Sequence, residues 1–493
     1  MPILRHLLAA VAATALAAPA LAEKVFNRAN DLSFGGAESL DPLSPNRFYE
    51  VNDMIYSRLV RQDENGEPAP ELATSWTPNA DATEWTLTLQ PGVTFQDGSA
   101  FDAADVVYSL GRIEDPALES PVSAVLGIID RVEVIDPLTV KIVLETPHAG
   151  IPLLLLDYRV RMIPEGTGST IDENPIGTGP FRVESYDPEG TTTLVAFDDY
   201  WEGRPLLDRV VFTAIPDSEA RHQAMLAGQL DLNSVTRDQL AAFEGNPDFQ
   251  LQSFPAGGWF GIVFRTDTPP YDDPRVRRAL RIAVDRTAMM TLMVGADGGT
   301  IGCDTPVRAD DPFRANLSCP QDIEGARALL AEAGYPDGID VELFTSDLEP
   351  GMVRFAEVYQ AQVAPAGIRV NLTVAPADGY WDDVWLVEPA SVTSWGERPA
   401  DQILNEAFRT GASWNETYWS NPDFDALLDQ ARSTLDTEEA RALYVQAQEL
   451  LFAEGGAFIP YLEDGRRVLS GRVSGFPELG EDYIRWHLVD LAE

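Results

Sequence analysis

Apolar and polar residues alternate through residues 84–89 (EWTLTL), the period of two expected of a strand with one buried face. The same period returns in 181–184, 191–197 and 209–212, with Asp187-Pro188-Glu189-Gly190 as the turn between the first two. Residues 132–144 predict two more strands around an Asp136-Pro137 turn, and 91–98 a short strand with turns at both ends. Elsewhere the period lengthens. Residues 49–59 carry apolar side chains at helical spacing, and Asp102 caps a helix in which Val106, Leu110 and Ile113 share a face. Residues 216–227 predict a helix closed by Gly228.

From Gly257-Gly258 onward the pattern changes. Residues 257–264 form an apolar run that reads as a buried strand, and Asp273-Pro274 opens a helix with Val276, Leu280 and Ala283 inward. Arg275, Arg277, Arg278 and Arg281 lie elsewhere around that helix, and a solvated surface paired with carboxylates is expected of them. Helices at 322–333 and 352–365 alternate with strands at 341–344 and 368–374, the order of an α/β layer with a mostly parallel sheet. Two amphipathic helices capped by Asn421 and Asp436 follow, and 457–461 returns as a strand toward the first half. One segment has no period at all: Pro175-Ile176-Gly177-Thr178-Gly179-Pro180. Its prolines fix φ and its glycines admit conformations closed to other residues, which suits a fixed crossover between lobes.

At 493 residues, 45% hydrophobic and 9% aromatic, the chain holds two or three domains' worth of core. Its 79 Asp+Glu against 35 Lys+Arg give a formal charge of -44, which argues against nucleic acid as a partner. The acidity reads as solvation. Arg5 and His6 precede an apolar run ending in Ala20-Leu21-Ala22, which predicts a cleaved export signal over 1–22 and a periplasmic chain from Glu23. No cysteine follows that site, so no lipid anchor is expected there. Cys303 and Cys319 are the only cysteines, and in an oxidising compartment they are expected to form a disulfide.

Motifs for chemistry are sparse. No G-x-S-x-G elbow or G-x-x-x-x-G-K-[ST] loop occurs, and His148, His222 and His487 stand in no metal-ligand spacing. What stands out is indole. Trp259 follows the glycine pair, and Tyr380-Trp381, Trp385, Trp395, Trp414 and Trp419 cluster later. Packing in cores and lobe interfaces accounts for most of these, yet flat apolar area with one N–H donor also suits a cleft.

Three stretches carry a resemblance. They are LATSW…WTLTLQPGVTFQDGSAFDAADVVYSLGR (72–112), GTGPF with the following hairpin and DDYWEGRPLLDRVVF (177–212), and PYDDPRVRRALRIAVDR (270–286). With an SLDP turn near the expected mature start, their order resembles the large extracytoplasmic solute-binding proteins of ABC importers, the dipeptide-, oligopeptide- and nickel-binding family 5. The resemblance implies an α/β, two-lobed periplasmic-binding-protein-like fold of the hinge-closing type II, with an extra small inserted α+β domain. Lobe I is expected over 23–60, 173–264 and 465–493, the inserted domain over 61–172, and lobe II over 265–464. The implied function is capture of a peptide or peptide-like solute and delivery to the permease subunits of the inner membrane. No cofactor, no metal and no catalytic residue are implied, and the expected state is a monomer. An opine, sugar or metal chelate is the alternative ligand, and a secreted hydrolase is the competing class.

In the dipeptide and oligopeptide binders a tryptophan precedes an acidic motif, roughly W-x-x-D-Y-P-D-P, whose aspartate takes the ligand's α-amino group. Here the order is Ser394-Trp395-Gly396-Glu397-Arg398-Pro399-Ala400-Asp401. The candidate ligand residues are Trp259, Tyr380, Trp381, Trp395, Glu397, Arg398, Asp401 and Trp414. Glu397 or Asp401 is a candidate for an amine, and Arg398 for a carboxylate through a bidentate pair. The competing assignment for Arg398 is a pair with a local carboxylate.

Overall fold

The computed structural model describes residues 23–492, apart from 33, 65, 116, 119, 121, 350, 377, 378 and 481–483. The expected export signal over 1–22 lies outside the described residues. Two neighbouring antiparallel strands organise the rest: Phe249–Phe264 (16 residues) and Tyr461–Ser470 (10 residues). They occupy the middle of a 12-stranded sheet. On one side stand Leu232–Ser234, the parallel pair Val25–Asn30 and Arg209–Ala214, and the hairpin Thr191–Ala196 with Phe181–Ser185. On the other stand Ala390–Trp395 and the parallel pair Ile339–Ser346 and Ile368–Ala375. Each half carries its own helices and its own apolar core, so the molecule is two-lobed, with the first half as lobe I and the second as lobe II.

The strand Phe249–Phe264 begins well before the expected apolar run, because its first half is largely exposed and no burial pattern marks it. Register shifts between Pro255 and Gly258. Gly257 sits there at φ +74, and a Cβ on it would stand 2.6 Å from the Arg308 Cβ, so the bend between lobes requires glycine.

A second sheet of four strands, Ala73–Pro78, Glu84–Leu89, Thr139–Leu144 and Ile129–Asp136, packs with the helix Ala103–Gly111 around Trp85, Leu87, Val106 and Ile142. Asp102 caps that helix by accepting from Ala104 N–H at 2.8 Å. Residues 93–95 form only an isolated bridge, Thr94 to Ala100, and no strand. Gly92 and Gly98, both at positive φ, turn the chain too tightly for a ladder to extend. The helix expected over 49–59 ends at Ile55, where the extended Tyr56 redirects the chain toward Val60–Gln62.

Two expectations need correction. The 175–180 segment does not connect the lobes; it ties the four-stranded domain to lobe I. Gly179 N–H donates to Ile55 O at 3.0 Å, and the Gln96 amide donates to Ile55 O and Phe181 O while accepting from Gly177 N–H. A Cβ on Gly177 would lie 1.9 Å from Ile55 O, so this approach is closed to any larger residue. The arginines of the helix Pro274–Ile282 are not all solvated either. Arg277 and Arg281 are buried and donate to the carbonyls of Glu454 and Phe452, the orphan acceptors at the end of Thr437–Glu454. There their charges oppose the negative end of the helix dipole. Cys303 and Cys319 are joined as a disulfide, with Cα atoms 5.4 Å apart.

Candidate functional site

Where the two long strands pass from lobe to lobe, a cavity of about 780 Å³ opens. Trp259 and Trp395 are register partners on neighbouring antiparallel strands, so their side chains leave the same face. Their rings stack at 6.2 Å between centroids and 17° between planes, and the pair lines the cavity, with the half-buried Trp395 backed by the 4%-exposed Trp259. Phe254 and Tyr461 extend the apolar lining.

Charge comes from both lobes. Arg237 belongs to the helix Arg237–Leu240 of lobe I, Glu349 and Arg354 to lobe II, and Glu463, Asp464 and Arg466 to the returning strand. Ser394 Oγ donates to Glu349 at 2.5 Å, Arg354 donates to Leu292 O at 2.9 Å, and Arg466 donates to Val294 O at 2.9 Å. Burial pushes the carboxyls of Glu463 and Asp464 up, against the neighbouring Arg466 charge. A flat apolar wall flanked by separate cations and carboxylates suits a compact solute with an apolar body and charges of both signs.

The other candidates fall elsewhere. Tyr380 is a core residue: it is 1% exposed and its hydroxyl donates to Val392 O at 2.8 Å. Trp381 packs edge-on against Tyr380 and Trp385 and is 37% exposed. Trp414 meets Trp395 edge-on at 5.8 Å but opens onto a separate cavity of about 340 Å³ beside Arg409. Glu397 faces Arg308, with 3.6 Å between charged atoms. Arg398 donates to the Glu397 carbonyl at 2.8 Å and stands 3.7 Å from Glu406, lining a small cavity beside Tyr158 and Arg159. Asp401 is buried and saturated: Arg432 donates to it twice, at 2.8 and 3.0 Å, and the Tyr444 hydroxyl once, at 2.8 Å. The local carboxylate near Arg398 is therefore Glu406, and the Asp401 oxygens already accept from Arg432, Tyr444 and Asn405.

Several lining residues left no signal in the sequence. Arg237, Glu349, Arg354, Glu463 and Arg466 stand in ordinary polar contexts, and only the fold brings them to one cavity. Glu416 is a further case. It accepts the Trp395 indole N–H from beneath the aromatic wall, and its single hint is its place between Trp414 and Trp419.

The profile of the family described as "Bacterial extracellular solute-binding proteins, family 5 Middle" matches residues 67–441. The chain is 29% identical over 490 residues to the glutathione-binding protein GsiB of Pectobacterium atrosepticum, covering 92% of each chain. The structure of HbpA2 from Haemophilus parasuis superposes with a TM-score of 0.81 at 26% identity, covering 96% of this chain and 100% of that one. The binding protein MoaA of A. tumefaciens R10, solved with mannopinic acid, superposes with a TM-score of 0.76 at 25% identity, covering 96% and 100%.

Proposed function

The chain belongs to family 5 of the bacterial extracellular solute-binding proteins, and on that premise we propose that it captures a peptide or peptide-like solute between its lobes. Family members have the type II two-lobed fold, reside in the periplasm and serve ABC importers. The observation that carries the peptide reading is the cavity at the crossover, where Trp259 and Trp395 form a flat wall between arginines and carboxylates of both lobes. A short peptide presents the matching groups: an apolar or amide body, an ammonium and a carboxylate. The relative named for glutathione, itself a short peptide, supports that class.

Contacts with both lobes favour the closed arrangement, because a solute touching one lobe alone gains nothing from closure. The closed form then docks on the permease. In this reading the chain works as a monomer from Glu23 onward, binds no nucleic acid and releases its solute unchanged. The division into lobe I at 23–60, 173–264 and 465–493, an inserted domain at 61–172 and lobe II at 265–464 belongs to the same proposal. A second reading, an opine, has two observations in its favour: Arg398 stands where the peptide binders' motif carries its first aspartate, and MoaA was solved with mannopinic acid.

Protein purified from a periplasmic extract, denatured and analysed by mass spectrometry, reports the retained solute. Calorimetric titration with glutathione and with mannopinic acid separates the two readings. Binding of glutathione, with the peptide recovered intact, supports the first. Binding of mannopinic acid alone moves the assignment to the second, and catalytic release of peptide fragments rejects both.

A further inference from the structure

We propose that Glu416 is a positioning residue for the solute cavity: it holds the Trp395 indole against Trp259, so that the aromatic wall is formed before solute arrives. The inference rests on the reading of the inter-lobe cavity as the solute site.

Glu416 is 3% exposed, and its Oε1 accepts the Trp395 Nε1–H. Its Oε2 has no well-formed hydrogen bond, with the Thr393 hydroxyl and the Trp385 indole beside it. Among the described residues, no cation pairs with this carboxylate. Its place is set by the backbone. The adjacent Asn415 donates to Arg409 O at 3.1 Å and Trp419 O at 2.8 Å, and the Thr417 hydroxyl donates to Asn415 Oδ1 at 2.9 Å. Glu416 thus presents a fixed acceptor, and Trp395 adapts to it. Indole has a single polar atom, so that one bond selects the ring orientation that stacking alone leaves open.

A leucine would fill the same volume without burying a charged group. What the acid adds is an acceptor, strengthened when it is ionised. Burial pushes the Glu416 carboxyl up to about 7, against the Trp395 hydrogen bond and the nearby Thr393 and Trp385 dipoles that favour the charged form. Among the described residues Tyr380 also faces it, its phenol pushed up by burial and by the Glu416 charge.

The test uses near-UV circular dichroism and tryptophan emission of the solute-free protein from about pH 5 to about pH 9. Wild type, Glu416→Gln, Glu416→Leu and Trp395→Phe are compared, with calorimetric titration of glutathione on each and on Trp395→Ala. The wild-type indole signal should titrate near neutrality, and the transition should vanish in Glu416→Gln and Trp395→Phe. Glu416→Leu should lose the dichroism of the stacked pair and bind glutathione at least about tenfold more weakly, while Glu416→Gln stays within about threefold. An unaltered ring couplet in Glu416→Leu overturns the inference. Should the leucine variant not fold, Glu416→Met replaces it and is read by the same ring couplet and glutathione affinity. Weakened binding in Trp395→Ala beside wild-type binding in Glu416→Leu overturns the inference and leaves the cavity reading standing. Unchanged glutathione affinity in Trp395→Ala overturns the cavity reading, and the binding role of Glu416 with it.

Discussion

His148 Nε2 lies 3.4 Å from Asp401 Oδ2, and this contact joins the four-stranded inserted domain to lobe II. Both partners are held in advance. The Trp85 indole donates to the His148 carbonyl at 3.0 Å, and Gly150 N–H donates to His148 Nδ1 at 3.0 Å. On the far side Asp401 is gripped by Arg432 and Tyr444, while the neighbouring Ala149 N–H donates to the Arg432 carbonyl. These bonds cross from the four-stranded domain to lobe II, and an opening of the lobes about the crossover strands would break them.

Replacing His148 by alanine should shift the solute-free protein toward the open form. A hydrogen bond to a charged group contributes about 1.5–3 kcal/mol, which corresponds to a shift of roughly ten- to a hundredfold in the ratio of closed to open molecules. Small-angle scattering should show a larger radius of gyration than for wild type, with global stability little altered. Identical scattering profiles would mean that the contact does not hold the lobes together.

Asp401 supports stability as well as closure. Burial opposes its charge, but Arg432 and His148 outweigh burial and hold its carboxyl well below the usual range. A folded-state pKa below the unfolded value means a contribution that is fully present above about pH 4 and lost as pH falls below it. Asp401→Ala takes from the half-buried Arg432 its paired carboxylate, and should cost about 1.5–3 kcal/mol in denaturant unfolding near neutral pH. The difference from wild type should shrink at acid pH.

For solute binding, the aromatic wall should matter more than the neighbouring arginine. Trp395→Ala should weaken glutathione binding by at least about tenfold, or 1.4 kcal/mol. Arg398→Ala, which removes a partly exposed group 3.7 Å from Glu406, should change affinity by less than about threefold. Calorimetry with both variants checks the order, and the reverse order would move the solute toward the inserted domain.

Gly177 offers a test of the crossover between that domain and lobe I. Gly177→Ala forces a methyl group against Ile55 O and should destabilise by about 1–3 kcal/mol or more, as overpacking does. Gly111→Ala meets nothing within 4 Å and serves as the control in the same thermal melts.

Much of the local structure was legible because its causes are local. The two-residue period of 84–89 and the Asp102 cap act within a few residues, and both elements stand where the sequence places them. The motif order of 72–112, 177–212 and 270–286 pointed to the family because it spans most of the chain. The lobe crossover was less legible. Residues 249–255 have no fully buried position, since that half of the strand is largely exposed, while the glycines of 175–180 mark a close approach whose partner, Ile55, is remote in sequence.

The site shows the division most clearly. The sequence determined that Trp395 stands in a segment held by Gly396 and Pro399, and that its neighbourhood carries charge. It did not determine which charges meet. Arg398 and Asp401 sit three residues apart, yet one faces Glu406 at a small cavity and the other is sealed by Arg432 from the helix Pro422–Ser433. Arg237, Glu349, Arg354 and Glu463, distant from one another in the chain, share one cavity. Only the tertiary structure decided this, because an ion pair forms over a few ångströms of space whatever the separation along the chain, and burial is set by what packs above a residue.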